Sequence, residues 1–534
     1  MPLTNQSHAG LAVAPHAQAA ESAASILAEG GNALEACISM AATLAIVYPH
    51  MTGLGGDSFW LLHKPGDAAH CILGSGRSAR KLDKQFYLDQ GLKSIPYRGG
   101  SAAITLAGTV SGWEQAQAIS NEQWQGRLPL SRLLADALRI ARNGYRVTES
   151  QARATSDKLA QLAHQPGFAE VFLSQGQAPQ SGDKQKQPAM AETFEQLIRS
   201  GLHDFYQGEL AESIAQDLAR AGSPLTLTDL HQHQLLAAKP LSLKLGSATI
   251  YTTPPPTQGA ATLMILGQFA RRPLTIAQSE NADTLHWLVE ATKQAFCLRN
   301  REIRDPDRMA IVAEQLISDP QLDRLAATID STTAAPWKTA SHPSDTTWFG
   351  AIDKEGRSVS CIQSIYHEFG SGLVLPQSGL CWHNRGTSFS LLPGHPLELK
   401  PNTLPLHTLC PSMAHFDDGR RMVFGTMGGD GQPQTQSILF TRYAEYGQSL
   451  EEAIAAPRWL LGHAWGDTSD SLKLESRFGP ALVENLRNRG HDIEVLDAYE
   501  EMMGHAGAIL RHPDGRIEGA ADPRSDGAAV AAEV

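Results

Sequence analysis

Between residues 346 and 365 the chain reads "TTWFGAI", "DKEG", "RSVSCIQSI": a strand, a turn and a strand, with Gly356 where a tight turn accepts positive φ. Any fold adopted by this chain has to house that pair. Downstream, the strand-like runs "RMVFGT" and "AGAILRH" are interleaved with helical ones such as "SLEEAIAAP", in which Ser449 and Glu452 have the spacing of a capping box. Strands with helices at their flanks predict layered α/β packing.

Upstream, "HAQAAESAASILAEGGNALEACISMAATLAIVYP" predicts two helices rich in Ala and Ser, the first stopped by Gly30 and Gly31, the second capped by Asn32 and ended before Pro49. "HMTGLGGDSFWLLH" follows as a glycine-rich turn into an apolar strand, Phe59 to Leu62. Residues 130–240 carry mostly amphipathic helical pattern, with 175–187 expected to be a solvated loop. Residues 320–345, rich in Pro, Ser, Thr, Ala and Lys, predict a flexible exposed linker ending on Asp345.

The 534 residues are enough for a large core, and the net charge of -12 offers no basic face for nucleic acid or an anionic membrane. A small-molecule partner fits better. Six single cysteines without a C-x-x-C pair predict buried reduced thiols. His231 and His233 have no acidic or Cys partners at ligand spacing and are expected on a solvated face, so neither metal nor organic cofactor is expected. No apolar run approaches the ~20 residues of a membrane span, the N-terminus lacks signal-peptide pattern, and the cytoplasm is the expected compartment. No G-x-S-x-G elbow is present, which argues against a serine hydrolase of that type.

A strand starting at Thr346, directly after a polar segment, suits cleavage between Asp345 and Thr346. The freed α-amine, with a reference pKa of about 8, would be a base on the same residue as the hydroxyl nucleophile. On local sequence alone, an uncut loop entering a strand is the alternative.

The runs "GNALEACISMAATLAIVYPHMTGLGGDSFWLLH", "TTWFGAIDKEGRSVSCIQSIYHEFGSG", "GTMGGDGQPQTQ", "EEAIAAPRW" and "GAADPRSDG", in this order, resemble the γ-glutamyltransferase family of N-terminal nucleophile hydrolases. The resemblance implies a proenzyme with a four-layer αββα sandwich (α+β), cut autocatalytically into a large subunit, 1–345, and a small one, 346–534, that stay together as one domain. A homodimer of these heterodimers is compatible with it.

By the same resemblance, Thr346 falls on the nucleophile, Ser364 on a second hydroxyl, and Gly428 and Gly429 on the pair whose N–H groups form the oxyanion hole. The residues that would hold a γ-glutamyl group do not carry over. Tyr366 stands where the transferase pattern has an asparagine, Arg385 and Ser388 in "HNRGTSF" replace an amide and an acid, and His407 and Thr408 replace a serine pair. The arginine of the family's large-subunit motif is displaced, leaving Arg77 as the nearest basic residue. Losing an acid and gaining an arginine favours an anionic acyl group without an amine. Hydrolysis of a small carboxylate amide such as oxamate is therefore expected, as in the oxamate amidohydrolase branch, which works in purine catabolism. The competing expectations are a γ-glutamyl hydrolase or transpeptidase, a glutaryl (cephalosporin-type) acylase, and an unprocessed binding protein.

Overall fold

Two helices with small side chains, Ala17–Ala28 and Ala33–Val47, open the packed interior. Gly30, at φ +85°, ends the first, and Asn32 forms a capping box with Glu35 at the start of the second, as the sequence predicts. Every residue of the second helix is buried, which its Ala, Ser and Thr content allows. The computed structural model describes residues 2–273, 279–337, 345–463 and 469–533.

Two antiparallel sheets stack at the centre. One has six strands, in the order Ala528–Ala531, Gly10–Ala14, Asp345–Asp353, Ser358–Tyr366, Asp57–His63 and His70–Gly74. The other has seven, in the order Thr4–Ser7, Ile517–Ala521, Ala506–Arg511, Arg421–Thr426, Ser412–Phe416, Ala248–Thr252 and Leu241–Leu245. Each sheet takes strands from both sides of residue 345.

Side chains alternate between the two faces of a strand, and the layers follow from that. Trp348, Ile352 and Ile362 enter the core between the sheets, where they meet Val423 and Ile509. Their neighbours Phe349, Ala351, Val359 and Cys361 face outward into a layer formed by the first two helices with Thr109–Gln123 and Ala135–Asn143. Helices Gly259–Phe269, Ala282–Glu302 and Gly431–Ala444 cover the far side of the seven-stranded sheet. The architecture is the α+β αββα sandwich.

Other expectations are adjusted. Residues 320–326 belong to a helix, Asp319–Ala326, with Leu322 and Leu325 buried. Pro320 lies in its first turn, where no backbone donor is needed, so the proline does not mark a loop. Ala335 beyond it is tied by its N–H to Glu290 and by its carbonyl to Lys293, so this stretch is not a free linker. The remainder of the predicted linker, 338–344, lies outside the described residues. Within the predicted loop 175–187, Lys184–Gln185 pairs with Tyr145–Arg146. His233 stacks on Tyr206 and bonds Ser111 rather than facing solvent, and Cys297 is exposed.

Trp348 fits between the sheets because glycines face it. A Cβ on Gly425 or Gly507 would overlap its ring, while its indole Nε1 donates to Ser360 Oγ at 3.0 Å. Gly507→Ala is therefore expected to cost about 1–3 kcal/mol by overpacking. The check is the denaturant midpoint, which should fall at unchanged slope; an unmoved midpoint would show that Trp348 does not seat against that strand.

Candidate active site

Thr346 and Ser364 share the inward face of the six-stranded sheet, because Thr347 pairs with Gln363 and the alternation turns their neighbours the other way. Asp57, on the next strand, stands in register with Ser364. All three are buried. The pairing slips between Gln363 and Tyr366, and Tyr366, at φ +80°, holds a backbone conformation that costs a tyrosine about 1–3 kcal/mol. Ser364 Oγ accepts from the Tyr366 N–H at 2.8 Å and so braces this irregular turn.

The Thr346 hydroxyl accepts a hydrogen bond from Gln432 Nε2 at 3.2 Å, and Gln432 is oriented by the Cys410 N–H on its Oε1 at 3.1 Å. Gln432 lies in the first turn of helix Gly431–Ala444, just past Gly428 and Gly429. Those glycines sit at φ +113° and +51°, conformations that disfavour side chains. Among the described residues neither of their N–H groups has an acceptor, and both belong to the positive end of that helix.

A buried network fixes this loop. Arg299 pairs with Asp430 through Nη1 at 2.6 Å and Nη2 at 3.1 Å, and its Nη1 also reaches Gln258 Oε1 at 2.6 Å. Gln258 Nε2 in turn donates to the carbonyls of Gly429 and Thr408, at 2.7 and 2.8 Å. The loop and the His407–Thr408 segment are thereby held together.

Arg385 is another buried arginine at this site, and its surroundings differ. It is 1 % exposed, its guanidinium lies 3.8 Å from the centre of the Tyr366 ring, and Nη1 donates to Thr408 Oγ1 at 3.3 Å. Its Nε and Nη2 have no partner among the described residues. Burial pushes its pKa down to about 10 against the pull of Tyr366 and Asp57, and burial likewise raises the Tyr366 phenol to about 12. Arg385 thus remains a cation and Tyr366 a neutral ring at neutral pH. A buried cation with idle donors is a preformed seat for a carboxylate.

The other expected residues fall as follows. His407 and Thr408 are buried beside Arg385. Arg77 is engaged elsewhere, with Asp305 at 2.9 Å, Asp307 at 3.0 Å and the Asn402 carbonyl, so its charge is already met. Ser388 is buried one turn beyond Arg385. One His and Glu group has metal-ligand proximity among the described residues, His286, Glu290 and His491, with ligand atoms within 4.8 Å. It is internally satisfied, since His286 bonds His491 at 2.8 Å and Lys293 bonds Glu290 at 2.6 Å, and the ammonium there opposes a cation.

The sequence profile described as gamma-glutamyltranspeptidase matches residues 19–532. The chain belongs to that family. It is 51% identical over 527 residues to the oxamate amidohydrolase proenzyme of Klebsiella pneumoniae, covering 99% of each chain. It is 37% identical to the glutathione hydrolase-like YwrD proenzyme of Bacillus subtilis, covering 97% of this chain and 98% of that one. The crystal structure of the cephalosporin acylase from Bacillus halodurans superposes with a TM-score of 0.90 at 29% identity, covering 99% of this chain and 97% of that one. This family member is a hydrolase of amide bonds made as a proenzyme, on the sandwich of the N-terminal nucleophile hydrolases.

Sequence reasoning did not single out Gln432, Arg299, Gln258, Asp57 or His383. Gln432 and Asp57 lie inside motifs that carry the resemblance, but nothing local marks which polar residue of a glycine-rich run turns inward. Replacing Arg299 by Met would leave Asp430 buried without its guanidinium, an expected loss of about 3–5 kcal/mol. Chemical denaturation of the variant checks this; a loss below about 1 kcal/mol would remove Arg299 from the support of the glycine loop.

Proposed function

We propose that this chain cuts itself between Asp345 and Thr346 and then hydrolyses the amide of a small carboxylate, oxamate to oxalate and ammonia, through an acyl-enzyme on Thr346. The observation that carries this reading is Arg385, a buried cation with idle donors and no carboxylate against it among the described residues. The similarity to an oxamate amidohydrolase proenzyme supports the choice of substrate. The pieces 1–345 and 346–534 would remain one domain, since both sheets are built from both. No described helix is long and apolar enough to cross a membrane. Cytoplasmic work and a place in purine catabolism belong to the oxamate reading and are proposed with it.

In this mechanism Arg385 takes the carboxylate, with Tyr366, His407 and Thr408 narrowing the pocket, and Arg77 is left to its ion pairs. Thr346 Oγ, oriented by Gln432, attacks the amide carbon as its proton passes to the freed α-amine. The Gly428 and Gly429 N–H groups hold the oxyanion, an effect worth several kcal/mol in such sites. The C–N bond breaks as the proton reaches the leaving nitrogen, and ammonia departs. Water then attacks the ester under the same base and restores Thr346. Ser364 supports the site through the turn that it braces.

A longer anionic acyl group, as in a glutaryl or γ-glutamyl substrate, is the second reading, favoured by the likeness to a cephalosporin acylase and a glutathione hydrolase-like protein. Intact mass spectrometry of the wild type should show two chains meeting at 345/346, and Thr346→Ala a single inactive one. Ammonia should be released from oxamate rather than from glutamine or glutarate monoamide, at a rate rising with pH as an amine of pKa about 8 deprotonates. Arg385→Met should lower kcat/KM for oxamate by roughly 10²–10³-fold, about 3–4 kcal/mol, without preventing the cut. A wild-type chain that stays whole and inert would overturn the proposal and leave a binding protein.

A further inference from the structure

His407 is fully buried, its ring 4.8 Å from that of Phe59 between centroids, and neither ring nitrogen has a hydrogen-bond partner among the described residues. Its backbone does not explain this placement alone, since the N–H and carbonyl are already satisfied by Pro256 and Gln258. An imidazole kept this way in an interior calls for an explanation.

The charged and titratable groups facing it are Asp57, Arg385 and His383. Asp57 Oδ2 lies 3.9 Å from His407 Nδ1 and 3.1 Å from His383 Nδ1, while Oδ1 accepts from the Gly108 N–H at 3.2 Å. His383 is held from its other side, with Nε2 2.9 Å from the Thr105 carbonyl. Although burial works against it, His383 and Arg385 keep the Asp57 carboxyl below its ordinary pKa, so it is a carboxylate. Burial drives the His407 pKa well below its usual value, so the ring is neutral. A carboxylate opposite Nδ1 favours the tautomer with the proton there, which leaves Nε2 as a lone-pair acceptor. Arg385 alongside offers only donors. The pocket therefore pairs donors for a carboxylate with one acceptor.

We propose that Asp57 is a positioning residue that sets His407 so that its Nε2 accepts an N–H of the scissile amide, making the site selective for a carboxylate whose neighbour is an amide rather than an ester. This rests on the reading of Thr346 and Arg385 given above.

The test compares kcat/KM for oxamate with that for monomethyl oxalate, which keeps the carboxylate but carries no N–H. In His407→Phe the amide-to-ester ratio should fall roughly 10- to 100-fold, the value of one buried hydrogen bond, and His407→Gln, whose Oε1 can accept the same N–H, should recover most of it. Asp57→Asn should lower the ratio in the same direction but by less, because the ring remains and only its tautomer is released. Each variant's separation into two chains, seen by mass, reports that it has folded. If His407→Phe stays whole, the Asp57→Asn ratio decides. An unchanged ratio in His407→Phe overturns the acceptor role, and a fall there with none in Asp57→Asn overturns the positioning role. Wild-type protein inert toward both compounds would instead overturn the amidohydrolase reading itself.

Discussion

Strand Asp345–Asp353 is covered on both faces, and the rest of the molecule is arranged to make that cover. Its register is fixed from both sides, because a shift by one residue would drive Trp348 into the helical layer and Phe349 into the space between the sheets. Trp348 locks the choice, because the facing strands supply glycines where any side chain would collide with its ring. Once Trp348 is seated, Thr346, two residues earlier, has no freedom to point elsewhere. The direction of the Thr346 hydroxyl is thus a consequence of packing several ångströms away, and Gln432 needs only to meet it.

The two buried arginines near this strand show how one residue type does opposite work. Arg299 has its charge fully met by Asp430, and its hydrogen bonds are spent on holding the glycine loop and the segment carrying Thr408. Arg385 lies on an aromatic ring with one hydroxyl contact and two idle nitrogens, a condition that lowers stability in the absence of an anion. Asp57 is near enough to pull on it but is turned toward His383 instead. The fold keeps a negative charge close without letting it occupy the seat. A carboxylate docking there, as proposed, would need little reorganisation, because the desolvation of the guanidinium has already been met in folding.

Where local chemistry decides structure, the sequence was readable. The Asn32 and Ser449 capping boxes, the positive φ of Gly356 and the run of the two central strands follow from residues within a few positions of one another. Thr346 could be singled out because its strand begins abruptly after a polar stretch. Side-chain partnership could not be read in the same way. Arg77 looked free because its acids, Asp305 and Asp307, are more than two hundred residues away, and His233 looked solvated because Tyr206 and Ser111 reach it only through the fold. Residues 320–326 read as the start of a linker because composition does not say whether a proline such as Pro320 opens a helix or ends one. The charge change at Arg385 was legible as a substitution, but its burial and the lack of a counter-ion against it among the described residues belong to tertiary structure.

The place of the proposed cut also has a physical logic. Thr347 pairs with Gln363 and carries a second bond from its hydroxyl to the Gln363 carbonyl at 2.9 Å, so the ladder is firm from that residue onward. Only Asp345, opposite Tyr366, lies beyond the irregularity, and Tyr366 is the residue in the strained conformation. Opening the peptide bond between Asp345 and Thr346 therefore gives up one weak pairing at the end of the strand and none in its body. The two pieces would stay interleaved, since the six-stranded sheet takes three strands from before the cut and three from after it, with Gly10–Ala14 set between Ala528–Ala531 and Asp345–Asp353. The chain end that the proposed cut would create at Thr346 would remain aimed where the sandwich already holds it, so a nucleophile there would be positioned by the fold of the precursor.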